Sequence, residues 1–120
     1  MNRRVLAAVG DLLFASKIRG TAQQLNVSAD FARTADSLFD AAKTDVPSLI
    51  ILDLHDERLD PVALIRRLKA DDQLRAVPVV GFFSHVEVEL QRRAKEAGID
   101  YALPRSAFTQ RLPDILLGEI

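Results

Sequence analysis

The segment Pro47-Ser48-Leu49-Ile50-Ile51-Leu52-Asp53 constrains this chain more than any other. Four large aliphatic residues follow one another with no polar alternation, so an extended backbone there must be buried on both faces. A strand of that kind belongs in the middle of a parallel sheet with helices above and below it. The run ends on a carboxylate, which places Asp53 at the carboxyl end of the central strand.

The flanking sequence supplies matching units. Val5-Leu6-Ala7-Ala8-Val9 predicts a first buried strand, and Phe14, Ile18, Ala22 and Leu25 form the apolar stripe of the helix after it, with Asn26 as its stop. Val27 to Arg33 alternates in the manner of a second, edge strand, and Asp36 is placed to cap a short helix carrying Leu38, Phe39 and Ala42. After the central strand, Asp60-Pro61 supplies an N-cap and a first-turn proline for a helix that buries Val62, Leu64, Ile65 and Leu68. Val77 to Phe83 reads as a fourth strand. Val86 to Ala97 reads as a helix ended by Gly98, with Glu89 set to pair with Arg92 and Arg93. Asp100 to Leu103 is a short fifth strand, and a last helix is expected from about Thr109 to Leu117 with Pro113 in its first turn. Five strand–helix units in succession predict an α/β sandwich of three layers.

Composition narrows what such a sandwich can do. At 120 residues, one core is expected and a second is not. Sixteen basic against seventeen acidic residues leave a net charge of −1, which removes the broad pull of a basic domain on nucleic acid. The chain has no cysteine, so disulfides, thiolate metal sites and thiol nucleophiles are all excluded. No stretch reaches bilayer length and no secretory leader opens the sequence, so the expectation is a cytoplasmic protein away from membranes. Gly10 has no glycine-rich phosphate cradle around it, and Ser84-His85 implies no oriented triad.

The order of these segments resembles the receiver domain of bacterial two-component response regulators. The resemblance rests on Leu49-Ile50-Ile51-Leu52-Asp53-Leu54, the loop from His55 to Leu59 with Asp60 beyond, Val77-Pro78-Val79-Val80, and Ala97-Gly98-Ile99-Asp100, and it covers nearly the whole chain. It implies a flavodoxin-like (βα)5 fold, a parallel five-stranded sheet of order 2-1-3-4-5, and a site at the carboxyl ends of the strands. It also implies a single receiver-like domain over residues 1–120 with no output domain.

The family pattern makes Asp53 the phosphoacceptor position. It asks besides for two acidic residues after the first strand to hold Mg²⁺, a hydroxyl after the fourth strand and a lysine after the fifth. Here the acidic pair falls on Val9 and Gly10, leaving only the neighbouring Asp11. The hydroxyl position falls on Phe83 with Ser84 one place late, the lysine is Arg105, the aromatic switch position is Ala102 beside Tyr101, and the usual Met-Pro pair reads Asp56-Glu57. Asp11, Ser84 and Arg105 therefore form the expected pseudo-active site around an Asp53 that is a remnant or still in use.

Two site arrangements follow. In one, Arg105 is drawn to Asp53, and also to Asp11, in place of a metal, and fixes the loop before the last helix. In the other, Arg105 is merely solvated. Asp11 and Asp53 are the only carboxylates offered to a magnesium ion there, so no cofactor, or a weakened magnesium site, is expected. His55 and His85 with Asp53 and Asp56 do not show the tight spacing of a metal centre. The expected role is a stand-alone receiver-like signalling module that binds a protein partner, such as a kinase or another signalling protein, without phosphorylation and without catalytic turnover. The alternative is a conventional receiver phosphorylated on Asp53. The surface of the fourth helix, fifth strand and last helix is the family's usual partner face, and exposed Val88 or Tyr101 there would support a partner site or a homodimer.

Overall fold

A computed structural model describes residues 3–84 and 87–120. Five strands, β1 (Arg4–Ala8), β2 (Ser28–Phe31), β3 (Leu49–Asp53), β4 (Val79–Phe83) and β5 (Tyr101–Pro104), form one parallel sheet of order β2-β1-β3-β4-β5. The helices are α1 (Leu12–Gln24), α2 (Ala35–Thr44), α3 (Pro61–Ala70), α4 (Val88–Ala97), α5 (Arg105–Gln110) and α6 (Leu112–Leu117), with a 3-10 turn at Glu57–Leu59. The flavodoxin-like α/β sandwich expected from the residues is the fold observed.

Both faces of β3 are covered, as its apolar run requires. Leu49 and Ile51 join Val5, Ala7, Val80 and Phe82 in a core closed by α1, α5 and α6. Ile50 and Leu52 point the other way, into a core with residues of α2, α3 and α4. Strand alternation thereby gives Asp53 the direction of Leu49 and Ile51, towards the α1 layer. All five residues of β3 are buried.

Several boundaries differ from the sequence expectation, each for a local reason. The cap of α2 is Thr34, not Asp36: the Thr34 hydroxyl accepts from the Ser37 N–H while the Ser37 hydroxyl accepts from the Thr34 N–H. This is a reciprocal capping box. Asp60 does occupy the N-cap position of α3, but with φ 44° and ψ 66° its side chain makes no capping bond, and Pro61 carries the start alone. The expected last helix is two helices, broken at Arg111, with Pro113 in the first turn of the second. Proline there has no N–H to lose to the ladder, so it opens α6. β2 is shorter than Val27 to Arg33 and β4 starts two residues after Val77. The expected start of α4 at Val86, with His85 before it, lies outside the described residues, and α4 begins at Val88.

Gly81 is dictated by packing. A Cβ at this position would stand 2.8 Å from both Ile99 Cδ1 and Leu54 Cγ, so only glycine lets β4 lie this close to the layer beneath it.

Leu52 is fully buried in the centre of the sheet. Leu52→Ala should therefore cost about 2–5 kcal/mol of unfolding free energy, the span of buried leucine truncations. Urea denaturation followed by circular dichroism reads this directly; a loss near zero is incompatible with the strand as described.

Candidate functional site

The carboxyl ends of β1, β3, β4 and β5 converge on Asp53. The pairings Ala8↔Leu52, Asp53↔Phe82 and Phe82↔Leu103 set the neighbouring strand ends side by side. Asp53 is the single buried charged residue among those described, with 4% of its surface exposed. Its Oδ1 accepts the His55 N–H at 2.9 Å, and among the described residues it makes no ion pair. Burial raises its pKa above the ordinary 3.8, because a carboxylate there loses hydration; the His55 N–H and the positive field of Arg105 pull it back only in part.

Asp11 has a use that the sequence reading missed. It is the N-cap of α1: Oδ1 accepts from the N–H groups of Leu13 and Phe14 at 3.0 and 3.2 Å. The signal was present, since an aspartate just before an apolar-periodic stretch is a standard helix start. Its other oxygen, Oδ2, lies 3.3 Å from Arg105 Nη2. Each oxygen is thus already engaged.

Arg105 opens α5 and leans over aromatic side chains. Its guanidinium carbon stands 5.2 Å from the Phe14 ring centre and 5.8 Å from that of Phe82. Those two rings and Phe108 form a tight trio, with centres 4.5, 4.9 and 5.6 Å apart. Of the two carboxylates expected to draw Arg105, Asp11 does so directly and Asp53 does not. Arg105 pairs with Asp11, while Asp53 senses it only through space. The aromatic trio and the capping aspartate together fix where the guanidinium can rest. Its Nε is buried with no hydrogen-bond partner among the described residues.

The remaining positions divide. Phe83 packs in the opposite core and is 2% exposed, and it brings no hydroxyl to the site. Ser84 is brought to the site through its backbone: its N–H donates to His55 Nε2 at 2.8 Å, which ties the loop after β4 to the loop after β3. Together with Pro104, Arg105 and Ser106, these two residues line an open cleft at the carboxyl end of the sheet. Asp56 caps the 3-10 turn through Oδ1 and holds Arg58 Nε at 3.4 Å. Its Oδ2 sits where a Cβ on Gly10 would lie 2.8 Å away, so glycine at residue 10 is what admits this carboxylate. His85 lies outside the described residues. Among those described, no three His, Cys, Asp or Glu side chains come together in a way that could hold a metal ion.

Magnesium needs several oxygens at octahedral angles. The residues beside Asp53 do not fit that demand. Val9 and Gly10 bring no side-chain oxygen, and Asp11 is engaged at both of its own.

The partner face implied by the resemblance is only partly covered. Val88 is 68% exposed and Tyr101 38%, with the Tyr101 hydroxyl donating to the Ile120 carbonyl at 3.4 Å. Ala102 is buried and Tyr101 turns to the other face, as strand alternation requires. Val88 opens α4, a helix of about 15 Å, and Tyr101 opens β5 after its far end. Glu89 pairs with Arg92, which also reaches Glu96.

Comparison with solved structures gives the same architecture. The chemotaxis response regulator CheY4 of Vibrio cholerae superimposes with a TM-score of 0.85 over 100% of both chains at 15% identity. The receiver domain of NtrX from Brucella abortus gives 0.79 over 96% of this chain and 94% of its own, at 26% identity. The receiver domain of the sensor histidine kinase PA1611 from Pseudomonas aeruginosa, solved with a magnesium ion coordinated in its active-site cleft, gives 0.81 over 98% and 99% at 16% identity. The fold is that of receiver domains. No protein-family model and no curated protein matches the sequence.

Two outcomes follow from this geometry. For Asp53, a pKa higher in the folded than in the unfolded chain means that the folded state holds its proton longer, so the burial penalty is absent below the ordinary carboxyl range and grows as pH rises above it. Asp53→Asn should therefore be more stable than wild type at neutral pH, with the gap closing as pH falls towards 3.8 in paired urea titrations. For Asp11, removal of the cap in Asp11→Ala should cost about 1 kcal/mol, and Asp11→Asn should recover most of it, because an amide oxygen still accepts from α1. Equal losses in the two variants would assign the effect to the Arg105 pair instead.

Proposed function

We propose that this chain is a receiver-like signalling module that works by binding a protein partner, a kinase or another signalling protein of the cytoplasm, in a conformation reached without phosphorylation. The observation that carries the reading is Arg105, whose guanidinium is held by Asp11 Oδ2 and the faces of Phe14 and Phe82. A cation free to swing onto a new phosphoryl group would be expected to lack such a seat. Arg105 instead has a resting place built from residues of α1, its N-cap and β4, at the start of α5.

Asp53 supports the same reading. Burial opposes charge on its carboxylate, and a phosphorylated one would place more charge in the same buried position. The protein would then turn nothing over and would need no cofactor. A partner, or a second copy of the chain, docking on the α4–β5–α5 side would meet Val88, Tyr101 and Leu117, all three being exposed.

One observation favours the second reading, a receiver phosphorylated on Asp53 with a weakened magnesium site. The carboxylate is kept at the end of β3, and its hydrogen-bond partner His55 lines an open cleft that also holds Arg105. Amide spectra recorded with and without beryllofluoride and Mg²⁺ separate the two. The expected result is unchanged resonances at Asp53 and Arg105, and equal partner recovery by wild type and Asp53→Asn in pull-downs. Saturable shifts at both residues, or an intact mass raised by one phosphoryl group after acetyl phosphate, would establish the second reading.

A further inference from the structure

We infer that a groove between the start of α1, the end of β2 and the loop after β3 binds an acidic segment of a partner protein that carries exposed leucine-like side chains. Leu12, Arg19, Phe31, Arg33, Asp56 and Arg58 line it. Three guanidinium groups against one carboxylate leave this groove with a charge of about +2, on a chain whose net charge is −1. Among the described residues Arg19 and Arg33 make no ion pair, and Arg58 is 83% exposed with only the 3.4 Å contact to Asp56. Arginines that are free of internal partners keep their planar donors for carboxylates from outside.

The apolar half of the groove is equally unpartnered. Leu12, which lines the groove, is 81% exposed, and Leu13, next to it in the chain but outside the lining, is 85% exposed. Both are far more open than the other large apolar residues of α1, and leaving two adjacent leucines in water has no benefit for the isolated fold. Phe31 forms part of the floor, and the Arg19 guanidinium lies over its ring at 4.6 Å, so one cation is already oriented at the groove wall. Apolar anchors ringed by arginine suit a segment in which leucine alternates with glutamate or aspartate. A basic or purely polar segment would gain nothing from one half or the other.

This groove takes no part in the phosphorylation-independent reading above. Its lining excludes Asp53, Ser84 and Arg105, so a result from beryllofluoride leaves it untouched.

The test uses the full chain labelled with ¹⁵N and the blocked peptide Glu-Glu-Leu-Glu-Glu-Leu-Glu-Glu. Saturable amide shifts are expected at Leu12, Arg19, Phe31, Arg33 and Arg58, weakening as salt is raised. The double variant Arg33→Glu with Arg58→Glu should bind at least about tenfold more weakly. Its melting temperature should stay at the wild-type value, because both side chains are exposed. Leu12→Ser provides a second, uncharged variant and should also weaken binding. The inference is overturned if no saturable shift appears, if shifts centre outside the groove, or if the lysine-for-glutamate peptide binds as well as the acidic one.

Discussion

Burial of β3 on both faces governs the chemistry available at its end. Five consecutive residues are removed from water, and the last of them is an aspartate. A carboxylate so placed has little solvent to stabilise its charge, and the structure answers with one backbone N–H and the distant field of Arg105. Its pKa is correspondingly raised above the ordinary carboxyl value. The site is therefore organised around a buried acid with very little compensation, and each neighbouring side chain must be judged by whether it relieves that deficit.

Most of them do not. Asp11 stands close in sequence to the acidic positions of the receiver pattern, yet its oxygens serve α1 and Arg105. A capping carboxylate fixes the geometry of its helix start, and that fixed geometry is what positions a seat for a guanidinium. Arg105 is drawn to this seat by two ring faces as well as a charge, so its location depends on Phe14, Phe82 and Phe108 packing together beneath it. The partly exposed pair alone would contribute little to stability. Its importance is positional: the first turn of α5 is placed by contacts that the chain supplies itself.

The loops at this end are joined in a similar way. His55 lends its ring nitrogen to the Ser84 N–H, and Asp56 fills the space left open by Gly10. Backbone groups and short-range caps thus occupy much of the rim where a hydroxyl and a metal ligand would otherwise stand. On the far side of α1, by contrast, Leu12 is exposed, and Arg19 and Arg33 make no ion pair among the described residues. The rim satisfies its own polar groups, whereas the groove leaves its cations and apolar side chains available.

The layered fold was legible in the residues because burial on two faces leaves a mark that needs no partner to be seen. Leu49 to Leu52 and Val5 to Val9 have no polar alternation, and the stripes of α1 and α3 repeat at helical spacing. The placing of Asp53 at a strand end was equally local. Other features depended on reciprocity between side chains. Thr34 displaced Asp36 as a cap because Ser37 could return its bond, and Asp60 lost its capping role to a left-handed backbone. The partner of Arg105 was decided by three phenylalanines and an aspartate spread from residue 11 to residue 108, a choice visible only when the strands bring them together. Periodicity is written along one segment, so the sequence could fix the layers; a buried charge chooses among neighbours in space, so only the packed structure could fix the site.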